Sequence, residues 1–154
     1  MRHPLHPALV HFPIACWTLA TAADLAGPFL GEAAWRPAGL LMLAGLAFAL
    51  PAMLAGFFEW LKLAEGTPAL AVAHRHMLLV LAAFACYAAS LLLRAEGARL
   101  HAPGTLAIAL SVAGFGCLAA AGWLGGRLVY EYGVGRRAPA ADAPRDHRSG
   151  RRRS

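Results

Sequence analysis

Charge is what this chain has least of. Only 14% of its 154 residues are Asp, Glu, Lys or Arg, where a soluble domain carries about 25%. Hydrophobic residues reach 59% and the mean hydropathy is +0.54. A soluble domain of this size has too much surface to clothe with so few charges. That excludes a soluble enzyme, a disordered chain and a nucleic-acid-binding domain, and leaves a small integral membrane protein. Cysteine is scarce too. Cys16, Cys86 and Cys117 are an odd count with no CxxC or CxxCH spacing, which excludes a disulfide framework, a zinc knuckle and a c-type haem attachment. They read as small apolar core residues. HExxH, a phosphate loop and a nucleophile–base pair are all missing, so hydrolytic and transferase chemistry have no support. If the protein takes part in catalysis at all, it is as an electron-transfer component. No internal repeat is evident by inspection.

The charges that exist are unevenly placed. Seven of the fourteen Lys and Arg residues lie in 136–154, with Asp142 and Asp146 the acids there. Residues 136–154 therefore read as a disordered basic tail, and residues 1–135 as a four-helix transmembrane domain. A pI near 10 reports that tail, so the nucleic-acid reading of a basic protein lapses.

Four apolar runs, 8–30, 37–58, 77–93 and 102–126, approach the roughly 20 residues that a helix needs to cross a bilayer. The first reads as a retained span, because its apolar stretch is too long for a signal peptide. Thr67-Pro68 supplies an N-cap and a first-position proline, so the third span starts near Ala69. Connections at about 31–36, 62–67 and 94–101 are short and force antiparallel neighbours. The predicted fold is an all-α membrane protein, four transmembrane helices in an up-down-up-down bundle. Small residues four apart, Ala23/Gly27, Ala52/Gly56 and Gly122/Gly126, are expected at helix contacts. Ser90 and Ser111 are expected to bond their own helices. Arg2, Lys62, Arg75, Arg127 and the tail outweigh Arg36, Arg94 and Arg99, so the positive-inside rule predicts both termini in the cytoplasm.

That topology gathers His6, His11, Glu59, Trp60, His74, His76, Tyr130 and Glu131 at one end. Pro7 suits the first position of the first helix, and Pro13 leaves the Leu9 carbonyl without its donor. An ionisable residue inside a span is a functional candidate because burial without a partner is costly. His74 and His76 point to opposite sides of their helix, and the pattern alone does not choose between them. One histidine from the first helix and one from the third can grip a b-type haem, with Arg75 or Lys62 meeting its propionates. This gives His11, His76 and Arg75 as candidate cofactor-binding residues. The rival is a transition-metal site built from His6, His11, His76 and Glu59. Histidines that only tie helices together are the structural reading of the same residues.

His6-Pro7-Ala8-Leu9-Val10-His11-Phe12-Pro13-Ile14 resembles the opening motif of a bacterial family of four-span membrane proteins, the domain of unknown function 2231. Gly56-Phe57-Phe58-Glu59-Trp60 resembles the family's Gly-x-x-acid-Trp ending of span two. His76 matches its histidine opening span three. Gly122-Trp123-Leu124-Gly125-Gly126, Leu128-Val129-Tyr130 and Gly133-Val134-Gly135 resemble its span-four ending. The resemblance favours His76 over His74. It departs at Glu59, where an Asp is more usual, and at Met77-Leu78-Leu79-Val80, where a Gly and later an Asn are usual. Fusion of family members to Rieske or c-type cytochrome modules implies a redox association.

The sequence thus predicts a multi-pass protein of the bacterial inner membrane, with a histidine-lined, redox-linked site holding haem b or a metal ion at the cytoplasmic end. Its expected partners are the bilayer and a redox protein, with a homo-oligomer as a further option and no nucleic acid. The alternative is a structural or accessory membrane subunit without a cofactor.

Overall fold

The computed structural model describes residues 5–135, and they are almost wholly helical. The elements are α1 (Leu5–Leu9), α2 (His11–Leu30), α3 (Glu32–Trp60), α4 (Pro68–Leu92), β1 (Ala95–Glu96), β2 (Arg99–Leu100) and α5 (Thr105–Tyr130). The basic segment 136–154 lies outside the described residues.

α1 and α2 form one rod interrupted at Val10. Pro13 has no N–H for the Leu9 carbonyl, while Val10 N–H to His6 O (3.1 Å) and Ile14 N–H to Val10 O (3.2 Å) continue the ladder on either side. The helix begins at Leu5 rather than Pro7, because the first turn of a helix has no N–H partners for a proline to disrupt. α4 starts as the sequence predicts: Pro68 is its first residue and the Thr67 hydroxyl accepts from Leu70 N–H at 3.3 Å. Two connections differ from expectation. Gly31 alone, at φ +59°, joins α2 to α3, and the 94–101 link folds as a tiny antiparallel hairpin turning near Gly97, at φ +60°.

α2 packs mainly on α3 and α4 mainly on α5, and the α3–α4 and α2–α5 contacts close the ring. α2 and α4 therefore lie diagonally and run in the same direction. α3, α4 and α5 are long and apolar enough to cross a membrane, yet only about a fifth of each apolar window is buried within the protein (22%, 17% and 22%). The remaining apolar surface needs a non-aqueous neighbour. α2, 20 residues long, falls short of that criterion, and it carries Asp24.

The bundle contains an internal repeat that inspection of the sequence missed. Residues 70 apart occupy equivalent places in the first and third rods: His6 and His76, Leu9 and Leu79, Val10 and Val80, Cys16 and Cys86, Trp17 and Tyr87, Asp24 and Arg94. Residues 69 apart do so in α3 and α5: Ala38 and Ala107, Gly45 and Gly114, Ala52 and Ala121, Gly56 and Gly125. Burial follows suit, with Trp17/Tyr87, Asp24/Arg94, Ala38/Ala107, Gly45/Gly114 and Ala52/Ala121 buried in both copies. Each hairpin, α1–α3 or α4–α5, is one copy, and a pseudo-twofold axis runs down the bundle between them. Only scattered identities survive at these offsets, because lipid-facing positions need nothing beyond an apolar side chain.

Cross-axis pairs hold the hairpins together. Trp17 and Tyr87 stack at 4.8 Å and 13°. Each ring presses on the glycine of its own hairpin: a Cβ on Gly45 would meet Trp17 at 2.4 Å, and one on Gly114 would meet Tyr87 at 3.0 Å. The Tyr87 hydroxyl donates to Trp17 O (3.2 Å) and lies 2.7 Å from Thr21 Oγ1, which is 3.0 Å from Ser111 Oγ. Of the small-residue pairs expected at helix contacts, only Ala52/Gly56 is tight. A Cβ at Gly27, Gly122 or Gly126 would meet nothing within 4 Å.

Below the stack, Arg94 grips Asp24 with two parallel bonds (2.6 and 2.9 Å), and both side chains are fully buried. Arg94 also donates to Ser90 O (3.2 Å) and Ser90 Oγ (2.8 Å), and Ser90 Oγ donates to Ala107 O (2.7 Å). Sequence reading placed Arg94 in a polar connection and let Ser90 and Ser111 bond their own helices. Instead Arg94 folds back, because an unpaired Asp24 at this depth would be untenable, and both serines bond neighbouring helices. Asp24→Ala should therefore destabilise the bundle by about 3–5 kcal/mol, the usual consequence of orphaning one buried ion. The double change Asp24→Leu with Arg94→Met should recover most of that. Unfolding by SDS titration from mild detergent micelles measures both.

Candidate functional site

At the opposite end from Asp24 the repeat sets out two histidines in the same way. His6 Nδ1 donates to Ala52 O at 2.8 Å, and His76 Nδ1 donates to Ala121 O at 2.8 Å. One turn beyond each carbonyl stands a glycine. A Cβ on Gly56 would sit 2.8 Å from His6 Cε1, and one on Gly125 would sit 3.3 Å from His76 Cε1. Each imidazole thus lies over a turn of the facing helix of its own hairpin, with room for nothing larger than glycine at Gly56 and a looser fit at Gly125.

The chemistry of these bonds assigns the tautomer. A carbonyl only accepts, so each Nδ1 carries a proton, and in the neutral ring Nε2 keeps its lone pair. Nδ1 makes the only hydrogen bond of either ring among the described residues. A histidine held through Nδ1 to a carbonyl, with Nε2 available, is oriented as metal-bound histidines are. The two rings are half-buried.

The other candidates are dispersed. His11 is exposed, as is its repeat equivalent Leu81, so it lies on the outward face of α2. His74 is exposed and meets the Trp60 ring edge-on at 5.3 Å. Arg75 is exposed and forms no ion pair among the described residues. Glu59 is bonded to Lys62 at 2.8 Å, and Tyr130 is 80% exposed. Arg127 lies over the Trp123 ring at 5.2 Å and donates to Glu131, holding that carboxyl below its ordinary range. No group of three His, Cys, Asp or Glu side chains comes together to hold a metal ion among the described residues, so His6, His11, His76 and Glu59 do not assemble as one set.

The two histidines that the repeat relates are His6 and His76, each bonded within its own hairpin. The signal that would have found the pair is the repeat: only its histidine recurs with a matching Ala-x-x-x-Gly, 46 residues on for His6 and 45 for His76.

Gly56→Ala should pull His6 from Ala52 and destabilise the protein, although Gly→Ala in a helix ordinarily gains up to about 1 kcal/mol. Gly125→Ala, with its looser 3.3 Å approach, should be close to neutral. Parallel SDS or thermal unfolding of the two variants checks the order.

These features define a helical membrane protein made of two like hairpins, with paired histidines at one end and a buried ion pair at the other. The chain belongs to the DUF2231 family, described as predicted membrane proteins, whose model matches residues 2–138. No curated protein and no solved structure matches it.

Proposed function

We propose that the protein is a four-span membrane protein of the bacterial inner membrane that holds a metal-centred cofactor through His6 and His76 and passes electrons to or from a redox partner protein. One observation carries this reading: both rings are pinned through Nδ1 at equivalent places, leaving two Nε2 lone pairs on either side of one axis. Helix tying needs a bond at Nδ1 but makes no use of the Nε2 lone pair. Where a macrocycle supplies the remaining donors, two histidines would complete the coordination, which suits electron transfer over catalysis at the metal. α2 serves as the fourth span in this reading, since pairing with Arg94 removes the exposed charge of Asp24. The basic residues of the histidine end, Lys62, Arg75 and Arg127, favour a cytoplasmic location for that end and for both termini.

The second reading is an accessory subunit in which the histidines are ties alone. The two 2.8 Å bonds favour it, because each already joins two helices.

Asparagine separates the two, since its amide can replace the Nδ1 donor but offers nothing in place of Nε2. His6→Asn and His76→Asn should each strip the purified protein of bound metal or chromophore while leaving its elution and helicity intact. Elemental analysis and a visible spectrum read the result. Wild-type protein that carries neither, and variants that lose stability alone, would establish the accessory reading. Cysteine labelling in a background lacking the three native cysteines tests orientation: a thiol at position 101 and one in the tail should react from opposite faces of the membrane.

A further inference from the structure

We infer that the outward face of α2 is an interface with a second copy of this chain, formed within the membrane as a parallel helix pair in which His11 and Thr18 each hydrogen-bond their own counterpart. The inference rests on α2 as a membrane span, and it is independent of what His6 and His76 hold.

Two polar side chains stand where a lipid-facing helix needs none. His11 and Thr18 are exposed, and neither makes a side-chain hydrogen bond among the described residues. Trp17 presses on Gly45, so on antiparallel α3 His11 stands roughly level with Pro51 and Thr18 with Ala44. The charges beyond those levels on α3, Glu59 and Arg36, each lie about eight residues further out, or about 12 Å at 1.5 Å per residue. An imidazole or hydroxyl left unpaired against hydrocarbon at that depth is costly.

The repeat shows that the fold does not require them. The equivalent face of α4 carries Leu81 in place of His11, Ala88 in place of Thr18 and Leu92 in place of Ala22. The α4 face suits lipid. The α2 face belongs to the one long helix that falls short of the apolar criterion met by α3, α4 and α5. Its spacing suits protein: His11, Ala15, Thr18 and Ala22, all exposed, follow the four-three-four pattern of the seam between two coiling helices. Ala15 and Ala22 are small enough for two backbones to approach closely, and polar groups between them hold such helices together.

Complementarity identifies the occupant. In its neutral form an imidazole carries one donor and one acceptor, and a hydroxyl serves as both, so each group completes a bond with a copy of itself. Copies inserted in one membrane share an orientation. The twofold axis between them therefore runs along the membrane normal and brings like levels together. His11 meets His11 and Thr18 meets Thr18, whereas a lipid tail offers neither bond.

The test uses the full chain in native membrane vesicles, with its three cysteines replaced by alanine and single cysteines introduced in turn. Copper-phenanthroline oxidation should join Ala15→Cys and Ala22→Cys chains into dimers and leave Ala85→Cys and Leu92→Cys, on the α4 face, monomeric. Energy transfer between chains labelled at His101→Cys, diluted in phospholipid vesicles, measures the dissociation constant. His11→Leu with Thr18→Ala, which copies the α4 face, should raise that constant about tenfold, the worth of two interhelical bonds at the modest strength they have in membranes. Cross-linking on α2 no greater than on α4, or a dissociation constant unchanged by the double variant, overturns the interface. Labelling of Thr18→Cys by a membrane-impermeant maleimide overturns α2 as a span and the interface with it. If the cysteine-free chain fails to fold, two differently tagged wild-type copies decide: co-purification that weakens in the double variant supports the interface, and its absence overturns it.

Discussion

The buried pair between Asp24 and Arg94 is the constraint on which the rest of the bundle turns. Two opposite charges, both fully inaccessible, can be held at this depth only if they meet with two parallel bonds and find further partners for the remaining donors. Ser90 meets that demand, and its own hydroxyl passes the bond on to α5. Because one ion comes from α2 and the other from the turn that follows α4, satisfying them sets how far apart the hairpins stand and how α2 registers against α4. Stacking of Trp17 on Tyr87 one level higher repeats that register. The histidine end inherits it: with residues 70 apart already paired at 24/94 and 17/87, His6 and His76 occupy equivalent places in the two hairpins.

The two ends of the bundle are held in contrasting ways, and the contrast has physical consequences. At the Asp24 end the buried Asp24, Ser90 and Arg94 all have partners, and the Asp24–Arg94 bonds cross between the hairpins. At the histidine end the side-chain hydrogen bonds of His6 and His76 stay within each hairpin, and the hairpins meet there through apolar packing, the Trp60–His74 contact and the 61–67 connection. Glycine positions reinforce this division. Gly45 and Gly114 admit the rings that cross the axis, whereas Gly56 and Gly125 admit rings that remain on their own hairpin.

Near-symmetry also explains why one half cannot simply copy the other. Identical residues at positions 24 and 94 would set like charges face to face with no water to screen them. The two halves must therefore differ at the axis while remaining alike elsewhere, and fusion into a single chain keeps the unlike halves together.

Much of the fold was legible in the residues themselves. Scarcity of charge and the four apolar runs determined a helical membrane protein, because hydrocarbon accepts little else. Thr67-Pro68 determined where α4 begins, and Pro13 where the first rod breaks, since both act through local backbone chemistry. The neighbourhood of the site was legible to the same extent: short connections bring the histidine-bearing ends together. Which histidines pair was not. His6, His11, His74 and His76 are alike in type and depth, and the choice among them depends on rotation about each helix, which no local rule supplies when most faces are apolar. Tertiary structure decided it through contacts between residues far apart in the chain: Arg94 returning to Asp24, a carbonyl on α3 or α5 beside a glycine, and a repeat whose meaning shows only when the two hairpins are laid side by side.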